Sequence, residues 1–177
     1  EGNRSLGDSE EVTFTNFGAK GGLTYKVTGR HLIDFNGGYY TIAPTLRNSF
    51  ANARQNNDIV DNLTEEKIQS ADLSYIYRSP IVKARVTGFY AGFQDATEIG
   101  FFFTQNAFGT EDNSAFVQEI VQGIEKRNVG VEMGIEAQVT PTFLVKAAAS
   151  VGQNIYTDNA TIYLSGDDYD FDPNDGF

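Results

Sequence analysis

Between Val129 and Val139 the chain takes apolar and polar residues in turn. Val129, Val131, Met133, Ile135, Ala137 and Val139 share one parity, and Gly130, Glu132, Gly134, Glu136 and Gln138 the other. A period of two sends the two sets to opposite faces of a pleated strand. The same alternation recurs along the chain and predicts six strands, at about 13–28, 31–42, 66–78, 81–94, 116–139 and 143–156. Leu23, Tyr25 and Val27 alternate with Thr24 and Lys26; Ala71, Leu73, Tyr75 and Tyr77 with Asp72, Ser74 and Arg78; Val82, Ala84 and Val86 with Lys83, Arg85 and Thr87.

The connections alternate in kind. Those at 28–31, 78–81 and 140–142 are short, whereas 43–64, 104–115 and everything from 157 onward are long and polar. In an up-and-down antiparallel sheet successive turns fall at opposite ends, so the short turns gather on one rim and the long loops on the other. Long alternating strands with this rim asymmetry are the sequence signature of a transmembrane β-barrel. In such a barrel the apolar face meets lipid and the polar face a lumen. Tyr25, Tyr75, Tyr77 and Phe143 lie near the short turns, where an aromatic girdle is expected. A soluble β-sandwich shares the period and stays open as an alternative. Six strands are also fewer than the eight of the smallest bacterial barrels, and open edges have no partners in hydrocarbon. The fold expected is therefore all-β, an antiparallel up-and-down transmembrane β-barrel present in part, with residues 1–177 as one partial barrel domain.

Composition narrows the choice of function. With 18 Gly, 14 Phe, 9 Tyr and few Pro, the chain leans away from helix. It has no Cys, hence no disulfide and no thiolate metal site, and its single His31 argues against multi-histidine ligation and a Ser-His-Asp arrangement. A net charge of −11 repels phosphates, so no nucleic-acid partner is expected. No apolar run approaches the roughly 20 residues of a membrane helix, and the polar start lacks a signal-peptide core. Carboxylates are plentiful but no pair stands in a definable geometry, so an enzyme is not expected.

Particular stretches carry a family likeness. Asn62, Leu63, Glu66 and Lys67, then Ser70–Tyr77, then Tyr90, Phe93 and Asp95 follow in order. This run resembles the barrel of TonB-dependent outer-membrane receptors, where an Asn-Leu-x-x-Glu-Lys loop end precedes an "S-x-E-L-G-Y-x-Y" strand and a "Y-x-x-x-F-x-D" strand. Asn128, Gly130, Val131, Glu132 and Pro141 resemble that family's "N-x-G-V-E" strand and Pro turn. The chain departs at Ile42-Ala43-Pro44, where the family often has Arg. The likeness covers most of 13–157 and is nearest to receptors of the Bacteroidetes group.

The resemblance implies a fragment of a barrel of about 22 strands, without plug domain, TonB box or carboxy-terminal strand. It implies an active transporter in the bacterial outer membrane that imports a scarce bulky ligand, such as a siderophore, glycan, cobalamin or peptide. The partners implied are the lipid bilayer with its lipopolysaccharide, the chain's own plug domain and the TonB-ExbB-ExbD complex; a surface lipoprotein lid is a further partner that no residue here supports. A porin or barrel adhesin outside the TonB class is the nearest rival.

Lys20, Lys83, Arg85, Glu132 and Glu136 fall on the lumen parity and are candidate plug contacts, or else ordinary solvated wall residues. Phe101, Phe102, Phe103 and Phe108 are candidates for stacking on a ligand at the extracellular rim, or for packing between long loops. Asp167, Asp168, Asp170 and Asp172, with Asp175, offer hard oxygen ligands for Ca2+. They do not form an EF-hand: counted from Asp170 the glycine falls at position 7, and no twelfth-position Glu follows. No other cofactor is expected.

Overall fold

The computed structural model describes residues 7–53, 56–105 and 114–166. The chain is all-β, an antiparallel meander of long strands in sequence order. These are β1 (Gly18–Lys26), β2 (His31–Ile42), β3 (Glu66–Arg78), β4 (Val82–Gln105), β5 (Ser114–Thr140) and β6 (Phe143–Tyr156). A short β7 (Thr161–Gly166) pairs with the upper half of β5, beyond the end of β6. One turn of 3-10 helix, Leu46–Asn48, interrupts the β2–β3 connection. The sheet is open, with β1 at one margin and β6 and β7 at the other.

Register turns the alternation into two surfaces, because directly opposed residues of an antiparallel pair project from the same face. One row across the sheet reads Leu23, Phe35, Leu73, Gly88, Val131 and Val151. The next reads Tyr25, Ile33, Tyr75, Val86, Met133 and Ala149. His31, Tyr77, Ala84, Ile135 and Ala147 follow. No ionised side chain enters these rows; Arg127 and Lys67 stand at their far end, level with Gly92 and Gln94. The opposite face carries Thr24, Asp34, Ser74, Thr87, Glu132 and Ser150 in a single row.

The apolar face is bare: Leu23 is 69% exposed, Leu73 55%, Met133 53% and Val151 73%. The ordinary core lies elsewhere. Val60, Ile99 and Ile120 pack together with Ala51 and Leu63, where the β2–β3 connection folds against the upper β4–β5 hairpin. Strand geometry thus holds the lower sheet, and side-chain burial is concentrated above it.

Several boundaries differ from the sequence reading. The strand expected from residue 13 begins at Gly18: Phe17 C=O still accepts from Thr41 N–H at 2.8 Å, but the N–H groups before Gly18 turn to side chains, Phe17 N–H donating to Thr41 Oγ1 at 2.9 Å and Thr15 N–H to Glu65 Oε1 at 3.2 Å. The strand expected to stop near 94 runs on to Gln105, and its partner begins at Ser114, so that residues 104, 105, 114 and 115 of the expected 104–115 excursion belong to the ladder. The tail expected to be wholly polar excursion from 157 contains β7, whose Thr161-Ile162-Tyr163-Leu164 run has the β-branched and aromatic content of a strand. The short-turn rim and the positions of β2, β3 and β6 are as the alternation indicates.

Candidate functional site

The polar face is the chemically diverse surface, and its side chains are linked across strands. At its centre the Arg85 guanidinium donates to Ser74 Oγ from Nε (3.2 Å) and Nη2 (2.9 Å), and to Thr87 Oγ1 from Nε at 3.1 Å. Ser74 and Thr87 share a hydroxyl–hydroxyl bond of 2.8 Å. Ser74 is fully buried on an otherwise open sheet, so these bonds satisfy a group whose orphaning costs about 1–3 kcal/mol. Toward β1, Asn36 Nδ2 donates to Asp34 Oδ2 at 3.2 Å and to Asp72 Oδ1 at 3.1 Å, while Thr24 Oγ1 donates to Asp34. Toward the short turns, Glu136 sits between two ammonium groups, Lys83 at 3.0 Å and Lys146 at 3.1 Å.

Phe89 lies among these polar groups and has a steric reason to be there. Gly130 and Gly152 face each other beside it on β5 and β6. A Cβ at Gly130 would stand 2.6 Å from the Val151 carbonyl oxygen and 2.7 Å from Phe89 Cζ. The two glycines leave the space that the ring occupies, an aromatic cover over exposed backbone. Phe89, Asn36, Asp72, Arg85, Thr87 and Glu132 line a shallow depression of about 550 Å³.

The sequence-derived candidates separate on this surface. Lys83, Arg85, Glu132 and Glu136 come together on β4 and β5, whereas Lys20 lies on the same face near the β1 margin, opposite Gly38. Phe101 and Phe103 flank Phe116 across the upper hairpin at 5.3 and 6.2 Å between centroids, and remain more than half exposed. Phe102 has the other parity, opposite the buried Val117. Phe108 and Asp167, Asp168, Asp170, Asp172 and Asp175 lie outside the described residues, and with them the candidate Ca2+ site. Among the described residues no group of three His, Cys, Asp or Glu is placed to hold a metal.

Asp34, Asn36, Asp72, Ser74, Thr87 and Lys146 belong to the polar network and were not singled out from sequence. Their parity was visible; what was missing was the register that sets them opposite one another. His31 sits on the other face, with Nδ1 2.6 Å from the Tyr75 hydroxyl and its ring 5.0 Å from Tyr77. Above the apolar rows a second charged group forms where Lys67 meets Asp95 at 2.6 Å and Lys126 meets Glu98. Burial pushes the nearby Glu66 carboxyl above the ordinary carboxylate range; the Lys126 charge opposes that rise and the Glu98 charge adds to it.

Alternating cations, carboxylates and amides on an open wall can hydrogen-bond a polypeptide or a polar solute over a wide area. No protein-family model, curated protein or solved structure matches this chain.

Proposed function

We propose that the sheet is part of the wall of an outer-membrane β-barrel, and that its parent is an active transporter of the TonB-dependent kind. The observation that carries this reading is the uncovered apolar face. From Val129 to Val139 one parity of β5 spans eleven residues without a charge, the length at which a tilted strand crosses a bilayer. Six strands about 4.8 Å apart, each apolar over roughly 30 Å, give a footprint on the order of 800 Å², beyond the largest apolar patch of an ordinary soluble monomer at about 300–600 Å². A sandwich needs a second sheet over that face, and the described residues supply only one sheet. Lipid covers it at no conformational cost to the chain.

On this reading the polar network lines the lumen and contacts the plug, the short turns face the periplasm, and the upper hairpin with the 43–65 segment stands outside the cell. The chain performs no covalent chemistry; binding and gating belong to the parent. The assignment to the TonB-dependent class rests on the motif order at 62–103 and 123–143, and the wall alone serves a porin equally well.

The chain contains no Trp, so Val131→Trp and Glu132→Trp are single-fluorophore probes of the two faces. In vesicles of acyl-brominated phospholipid, emission from the first variant is quenched and from the second is not. Equal quenching of both, or of neither, would refute the wall. The class is tested separately by the intact mass of the denatured, natively purified protein: a mass near 19.5 kDa excludes a plug in the same chain and refutes the transporter assignment.

A further inference from the structure

Irregularities in three neighbouring strands fall at one level of the sheet. On β4, Phe93 opposes Lys126 and Ala96 opposes Ile124, three steps against two, so β4 holds an extra residue there. Immediately above, Ala96 to Glu98 on β4 spans two steps while Ile124 to Val121 on β5 spans three, so β5 holds the next. Asp95 (φ 59°) and Gly123 (φ 71°) are the residues in the left-handed region at these two places. β7 continues the line of β6: Tyr156 opposes Lys126 and Thr161 opposes Gln122, five steps against four, and Thr157 N–H still donates to Glu125 O at 3.0 Å. β6 and β7 thus follow one line along β5, broken between Tyr156 and Thr161 at the same height and one residue longer there than β5.

A bulge bends its strand and raises the local twist. A single bulge re-aims one side chain, whereas two bulges and a strand break in lateral register interrupt the ladder along a line. We propose that this line is a crease, about which the upper β4–β5–β7 segment and the 43–65 segment tilt as one body relative to the sheet below.

The contacts divide along the same line. Above it, Val60, Ile99 and Ile120 pack together, Gln122 Nε2 donates to Asp61 O at 2.9 Å, and Ile99 N–H donates to Asn48 Oδ1 at 3.4 Å. These tie the loop to the hairpin and leave 43–45 and 64–65 as its links to β2 and β3. Across the line stand the two ion pairs. Lys67 of β3 reaches Asp95 within the crease, and Lys126 from just below it reaches Glu98 just above. Lys126 Nζ also stands 5.5 Å from the ring centroid of Tyr156, the last residue of β6. The pairs are partly exposed and act as latches that hold one tilt. The crease stands on register alone and is independent of what covers the apolar face.

The chain has no Cys, so spin labels can be placed at will. Labels at Leu46 and Thr142 span the crease; labels at Leu46 and Tyr163 lie within the upper body. Double electron–electron resonance is read before and after D95N with E98Q, and in the unsubstituted protein at 1 M salt, where the screening length falls to about 3 Å. The expected result is at least a doubling of the Leu46–Thr142 distance distribution in width, with Leu46–Tyr163 unchanged. An unchanged spanning distribution in both treatments overturns the crease. Equal broadening of both label pairs overturns it too, because the upper segment would then be loosening rather than tilting.

Discussion

The sharpest consequence of the two-faced sheet is what a single arginine does at neighbouring rows. Met133 lies midway along the charge-free stretch of β5, 53% exposed, in the row shared with Tyr75, Val86 and Ala149. Ser150 lies on the other face, opposite Glu132. If lipid covers the first face, Met133→Arg places a guanidinium near mid-bilayer and costs about 2–4 kcal/mol, roughly a 30- to 900-fold loss in the folding equilibrium. If water covers it, the same change removes an exposed thioether and stays within about 0.5 kcal/mol, as surface substitutions do. Ser150→Arg is near neutral in either case, since the new cation faces Glu132 from a polar wall. Urea titration of the intact protein folded into phospholipid vesicles reads both variants against the parent. Equal costs for the two variants, or a Met133→Arg protein no less stable than the parent, would refute the membrane wall.

Gly130→Ala destabilises by about 1–3 kcal/mol on the same titration, because two of the three atoms its Cβ meets are backbone of β6 that cannot move aside. Glu136→Gln breaks two ion pairs yet shifts stability by less than about 1 kcal/mol, since both lysines are about two-thirds exposed; a larger loss would show the clamp to be shielded from water. Glu66 supplies the pH dependence. Its folded pKa lies above the unfolded value, so its contribution is present below the unfolded pKa and lost as pH rises through the folded one. Glu66→Gln is therefore more stable than the parent at pH 7, and the gap closes as pH falls toward the ordinary carboxylate range; a gap that widens on acidification reverses the sign and sinks the assignment.

Much of this was legible in the chain. Alternation alone located β2, β3 and β6, and the pattern of short and long connections gave a meander with its turns sorted to two rims. It failed where side chains compete with the ladder or lengthen it. The Thr41 hydroxyl accepts the Phe17 amide and ends β1 early, an event that periodicity does not record. The continuation of β4 past residue 94 escaped the alternation because a bulge breaks its phase: across Asp95 a strict period of two slips and the aromatic run appears out of step. β7 escaped notice because Thr161–Leu164 is short and set among acidic residues. For the polar face, parity placed Lys20, Lys83, Arg85, Glu132 and Glu136 on one surface, without saying which of them are neighbours. Their hydroxyl and amide companions required the pairing of Ser74 with Thr87 and of Asn36 with Asp72, which no single strand encodes.

The meander order bears on how such a wall is built and rebuilt. Each strand from β1 to β6 pairs with its neighbour in sequence, so every rung below the crease forms without waiting for a distant segment. Local pairing of this kind favours rapid folding, because little loop entropy is lost before contacts form. It also makes the hairpin a removable unit. Excise β3 with β4, and β2 and β5 remain antiparallel, both with an apolar and a polar face ready to meet in register. Gene duplications or deletions in steps of two strands would alter the width of the sheet while leaving the two-faced code of every surviving strand intact.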